Sequence, residues 1–377
     1  MEQRRFAGNS HWYHETQSSR TAQAAPLVPE AAEIEDRFLL GLAPLCQGEL
    51  NAMLRQAQPA LLASRDLYHL LFPAELTTSL THTLSLYDRL STALTVAQVT
   101  GIQRLCNHYA ARLNPLSGPD SSRESNRRLT QITEYARQLA SQPTLVDAAA
   151  LHRLEECGLS APDIVTFTQI IGFVSYQARV AAGLHALLAL PVRWMPGVTI
   201  PPDAGPFTEA AAWRPLLAPV ELRYATALQL EALTWCQSQS HLSESAWLLA
   251  HDASALNGWS RLLNALDATP EGVLAAAVTA RINGSAACFA RFEQIKLHAA
   301  LRRGVDDALN IAEERDRAII QVAAQLTRSP ERFNAAHLQP LKATGMNVET
   351  LFNVFQHIAQ ASWQNRLMQS LGTVQEG

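Results

Sequence analysis

Two stretches of this chain, 187 residues apart, are similar to each other, and any fold it adopts has to accommodate both. LHRLEECGLSAPDIVTFTQIIGFVSYQARV, from Leu151, lies without a gap over LQPLKATGMNVETLFNVFQHIAQASWQNRL, from Leu338. The overlay keeps Leu151/Leu338, Leu154/Leu341, Gly158/Gly345, Gln169/Gln356, Ile171/Ile358, Ser175/Ser362, Gln177/Gln364 and Arg179/Arg366. Upstream, ARQLASQP covers AAQLTRSP with Pro143 on Pro330. DRLSTALTVAQVTGIQRLCNHY matches EGVLAAAVTARINGSAACFARF at an offset of 183, a shift that a short loop difference explains. Repetition on this scale predicts two copies of one structural unit.

Each copy reads as helix, tight turn, helix. Gly158 and Gly345 follow amphipathic helices at the point where a left-handed residue closes the last turn. Ser160 and Asn347 then cap the next helix, Ser160 with Asp163 three residues on. In that helix Ile164, Phe167, Ile170, Ile171 and Val174 form one apolar stripe, as Leu351, Val354, Phe355 and Ile358 do in the second copy. Long Ala/Leu segments broken at Gly or Pro fill the rest of the text from about Phe38 to Leu190. Seven prolines between Pro191 and Pro219 forbid a long helix and mark a linker over 191–220. Residues 1–36, polar around HWYHETQSSR, lack either periodicity and read as an arm. The predicted fold is all-α, with tandem helical domains over 37–190 and 221–377.

Composition removes whole classes of function. With 47% hydrophobic and 17% charged residues the 377-residue chain buries a core and is not a disordered polymer. The 30 Lys+Arg face 34 Asp+Glu with no basic run, so nucleic acid is not an expected partner. No apolar run reaches 18 residues and none follows the arginines of MEQRRF, so neither a membrane nor a secretory route is expected and the chain reads as cytoplasmic. Cys46, Cys106, Cys157, Cys236 and Cys288 are scattered and never spaced C-x-x-C, which favours reduced thiols over disulfides or zinc. His11, His14 and Glu15 form H-x-x-H-E, not the zinc-protease H-E-x-x-H, and no metal is expected. His108 stands next to Cys106, but adjacent residues on a helix point apart. Without a Gly-rich dinucleotide motif, a Walker A loop or a Ser-His-Asp signature, no bound cofactor is expected either.

Chemistry concentrates in Arg281-Ile282-Asn283-Gly284-Ser285-Ala286-Ala287-Cys288. Asn-Gly interrupts an Ala-rich helical run, and Ser285 can cap a restart that puts Cys288 in the first turn of the new helix. There the helix dipole and free N–H groups would favour a thiolate. The same cysteine among Ala and Phe also reads as a small buried hydrophobe, and both readings stand. In S-Y-Q-A-R and S-W-Q-N-R, Arg179 and Arg366 are placed either to tie the closing helix to a neighbour's carboxylate or carbonyls, or to wall a pocket, with Tyr176 and Trp363 adding bulk.

The order of these landmarks resembles the AhpD-like, carboxymuconolactone decarboxylase superfamily, in its peroxidase-related branch. They are an apolar helix, R-I-N-G-x-x-x-C opening another, an L-x-x-x-G-[LM] turn and a final helix with W-Q-N-R. The resemblance runs over roughly Phe38 to Gly372 as two copies and implies an all-α fold that oligomerises. Active members carry C-x-x-C directly after Asn-Gly, a His four residues after the second Cys and a Glu twelve before the first. Here those positions are Ser285, Cys288, Phe292 and Val273, so only Cys288 survives. In the first copy they are Ile102, Leu105, Tyr109 and Leu90, with Cys106 one residue out of register. What the resemblance implies is therefore a one-cysteine oxidoreductase acting on a peroxide or related small molecule. Cys288 would be the reactive group and Ser285 its polar neighbour, with an external thiol as reductant. Arg281, Asn283, Trp363 and Arg366 would stand around the pocket, with Arg281, Arg291 or a group from the other copy supplying positive charge. Two alternatives stay open: a scaffold that binds or assembles without redox chemistry, and a non-redox acid/base enzyme of the lactone decarboxylase kind.

Overall fold

Short polar residues open most of the longer helices. The computed structural model describes residues 36–192, 200–207, 212–239, 242, 243 and 245–374, so all of the predicted arm but Asp36 lies outside the described residues. The first half begins with α1 (Glu49–Gln56) and α2 (Gln58–Leu71). Ser85 then opens α3 (Leu86–Thr100) through a capping box with Asp88. After α4 (Gln103–Leu113), Ser122 caps α5 (Arg123–Ser141) and Asp147 caps α6 (Ala148–Glu156). Ser160 and Asp163 form the predicted capping box of α7 (Ala161–Leu187). In the second half Thr226 caps α8 (Ala227–Cys236), and α9 (Ala246–Leu249) precedes α10 (Ala253–Asn264), capped by Asp252. Thr269 caps α11 (Pro270–Asn283). The short helices α12 (Ala286–Ala290), α13 (His298–Arg303) and α14 (Val305–Ile311) follow. Last come α15 (Glu314–Arg328), α16 (Gln339–Ala343) and, capped by Asn347, α17 (Val348–Ser370). The fold is all-α apart from one two-stranded ribbon.

Both turns predicted to need a left-handed residue have one, Gly158 at φ +84° and Gly345 at φ +80°. The central pair is α7 against α17, the most extensive helix contact among the described residues. Helix α3 lies on α5 and α7, α11 on α15 and α17, and α2 on α10. Sequence periodicity predicted a stripe on α7, but the helix is buried on every side from Asp163 to Leu184. A helix apolar all round belongs in the middle of a bundle, and the second half supplies the missing wall. One continuous core runs through both halves.

Where α7 and α17 cross, Tyr176 and Trp363, which stand 187 residues apart, lie with ring centroids 5.8 Å apart. Gly172 leaves room for the Trp363 indole, whose Nε1 donates to Gln169 Oε1 at 2.9 Å. Arg179 donates to Ser175 O (3.0 Å) and across to Thr327 O (2.8 Å). Arg366 donates to Ser362 O (2.9 Å) and across to Ala140 O (2.6 Å). Each arginine thus reaches the carbonyl that corresponds, in the other half, to the one its counterpart reaches. Of the two expected partners for these arginines, carbonyls are the ones used. The two contacts fasten α7 to the second half and α17 to the first.

Part of the predicted linker is docked. Trp213–Pro215 forms β1, paired antiparallel with β2, Gly372–Val374, with Trp213 opposite Val374. The Trp213 Nε1 donates to Met368 O at 2.7 Å, and Asp203 pairs with Arg328. Prolines forbid a helix there, yet an extended strand with a buried tryptophan satisfies the same constraint. Among the described residues no helix is long and apolar enough to cross a membrane.

Candidate functional site

Asn283 ends α11, and Gly284, at φ +76°, takes the left-handed turn that lets the chain restart as α12. Cys288 is the third residue of that restart, as predicted, and is 4% exposed. Ser285 holds the N-cap position without a capping hydrogen bond, and its buried hydroxyl makes no hydrogen bond of regular geometry. A cavity of about 190 Å³ lies over the thiol. Its walls include Val273 and Ala276 of α11, Cys288, Arg291 and Phe292, and His357, Gln360, Gln364 and Asn365 of α17.

Burial pushes the Cys288 thiol above its usual pKa, while the Arg291 charge and the neighbouring Ser285 hydroxyl pull it back. The depression predicted from the helix start does not win, because a five-residue helix aligns few peptide dipoles and the thiol is cut off from water. Desolvation also holds His357 below the usual imidazole range, although the Asp267 carbonyl favours its protonated form. That carbonyl lies 2.9 Å from His357 Nε2, which must therefore carry the donated proton. Gly272 packs directly against the imidazole. Asn365 is 0% exposed, lines the cavity, and has a partner for neither its Nδ2 nor its Oδ1. A buried amide left unpaired at a cavity wall is free to receive a ligand's donor and acceptor.

Of the six residues singled out from the sequence, Cys288 lines this cavity and Ser285 adjoins Cys288. The other four sit elsewhere. Arg281 donates to Ala204 O (2.6 Å) and Arg303 O (3.0 Å) and lies over the Phe207 ring, so it fastens the 200–207 segment. Trp363 belongs to the central crossing. Asn283 and Arg366 line a second, larger cavity of about 400 Å³ between the halves, together with Arg179, Thr144 and Glu331. The positive group beside the thiol is Arg291.

In the first half the corresponding place is filled. Tyr109, at the position of Phe292, donates to Gln177 Oε1 at 2.6 Å inside a cluster with Tyr68, Phe72 and Phe173. Gln177 in turn donates to Phe38 O at 2.9 Å. His108 Nε2 lies 2.6 Å from Tyr68 Oη, and burial pushes the Cys106 thiol up to about 12.

Sequence reading missed His357 and Asn365. Asn365 had a signal in the repeat itself, since it stands over Ala178, a polar residue gained in only one copy. Among the described residues no group of three His, Cys, Asp or Glu could hold a metal ion. The chain matches no known family model, and a comparison with curated proteins gives no match either.

Proposed function

We propose that this chain is a two-copy protein of the AhpD-like, peroxidase-related type, in which the first copy serves as scaffold and the second keeps a single-cysteine thiol site. One observation carries the reading. Val273, Cys288 and Phe292, the positions that correspond to the Glu, the second Cys and the His of active relatives, converge on one cavity. The substrate is a small peroxide, limited by a cavity of about 190 Å³. The Cys288 thiolate attacks one peroxide oxygen, so that an S–O bond forms, the O–O bond breaks and an alcohol or water leaves after protonation. An external thiol condenses with the resulting sulfenic acid and releases water. A second thiol then reduces the mixed disulfide and restores Cys288. Arg291 favours the thiolate and the departing oxyanion. A reducing, cytoplasmic setting would supply the thiol, no bound cofactor is required, and self-association through outer faces belongs to the same reading.

A second reading rests on His357. With its Nε2 proton held by Asp267 O, its Nδ1 is the basic nitrogen, which suits acid/base chemistry or plain binding without the thiol. The raised thiol pKa also favours this alternative. Turnover of hydrogen peroxide and an organic hydroperoxide, with dithiol and monothiol reductants, separates the two. Loss in Cys288→Ala with retention in His357→Gln supports the thiol enzyme. Absence of turnover in the wild type overturns it and leaves the non-redox reading.

A further inference from the structure

The larger cavity, independent of the Cys288 chemistry, has two buried arginines on its walls. Arg179 and Arg366 both line it and are 3% and 1% exposed. Neither forms an ion pair with a described carboxylate. Each spends one N–H of two terminal nitrogens on backbone carbonyls, and the Nε of each has no partner. Burial disfavours the charged form of Arg366 and the nearby Arg179 disfavours it further, whereas Arg179 itself is eased by Glu331. Four arginines line the cavity (137, 179, 328, 366) against two glutamates (134 and 331); Arg328 is already paired with Asp203, and Glu331 with Arg332. The Asn283 Nδ2 is a further unpartnered donor on the same wall. Buried guanidinium groups without a counter-ion are costly, and an anion that pairs with them removes the cost.

We propose that the cavity binds a small organic acid, its carboxylate held between Arg179 and Arg366 and its apolar body against Ile200 and Ile282. The walls favour a carboxylate over a phosphate. A planar fork matches carboxylate or phosphate oxygens two at a time, but the apolar wall of Ile200 and Ile282 offers contact to the body of an organic acid and nothing to inorganic phosphate. Glu134 and Glu331 on the same walls also repel a dianion more than a single charge. The volume of about 400 Å³ lies in the range of small-molecule sites.

Isothermal titration of the full-length protein at fixed ionic strength, with benzoate, its uncharged isostere benzamide and inorganic phosphate, tests this. Benzoate is expected to bind saturably, ahead of phosphate, and benzamide not at all. Arg366→Met should weaken benzoate about tenfold or more, on the scale of a lost charge-assisted bond. Glu331→Gln, which removes the competing negative charge, should tighten it, and Cys288→Ala should leave it unchanged. If Arg366→Met does not fold, the tightening in Glu331→Gln still decides the matter. Equal binding of benzamide, tighter binding of phosphate, no binding of benzoate, or no change in Glu331→Gln would each overturn the proposal.

Discussion

At Cys288 two local forces oppose each other and burial wins. Its thiol should therefore be alkylated slowly at neutral pH, and the rate should still climb beyond the ordinary thiol pKa of about 8.5. Because the folded-state pKa is raised, the stability this residue contributes is complete below the unfolded value and is lost as pH rises through the folded one. Arg291→Ala should move the alkylation profile to still higher pH, which stopped-flow labelling would show; a profile centred below the ordinary value would contradict the assignment. Gly172→Ala is a second residue-scale test. Its new Cβ falls on the Trp363 indole, so denaturant melts should show a loss of about 1–3 kcal/mol, the usual cost of overpacking. Cys288 was legible in the sequence because Asn-Gly fixes where the helix restarts. The directions of Arg281 and Asn283 were not, since successive residues on a helix turn by a large fraction of a circle and near neighbours face different cavities.

Helix ends were legible where capping is local, and much less so where the partner is remote. Ser160 was readable as a cap, but Asp163 also accepts from Thr83 N (2.7 Å), Thr83 Oγ1 (2.8 Å) and Leu84 N (3.2 Å), contacts from about eighty residues upstream. Ser160→Ala should cost about 1 kcal/mol, an ordinary cap. Asp163→Ala should cost more, about 2–4 kcal/mol, because it strands several buried or half-buried donors at once. Thermal melts of the two variants check the order, and equal losses would refute it. The stripe on α7 was read correctly as apolar, yet only the placement of α17 against it explains why its remaining faces are buried too. Prolines likewise marked 191–220 as non-helical without revealing that Trp213 docks beside Met368.

The interlocked core makes a prediction for the molecule as a whole. Since α2 packs on α10 and α7 on α17, the halves should melt together. Calorimetry should give one transition with equal calorimetric and van 't Hoff enthalpies, and two separated transitions would show independent domains. A fragment covering 37–190 alone would expose the face of α7 that α17 covers, and should not fold to a monomer with native-like hydrogen-exchange protection.

The two walls of the larger cavity differ where it matters to an occupant. Glu331 and Thr144 are corresponding residues, and both border the larger cavity. A subunit paired with its own copy presents every side chain twice and holds an asymmetric guest in two superimposed poses. A single chain that builds both walls escapes that requirement. With a carboxylate on one wall and a hydroxyl on the other, the space has a head and a tail, and a guest placed there faces one way.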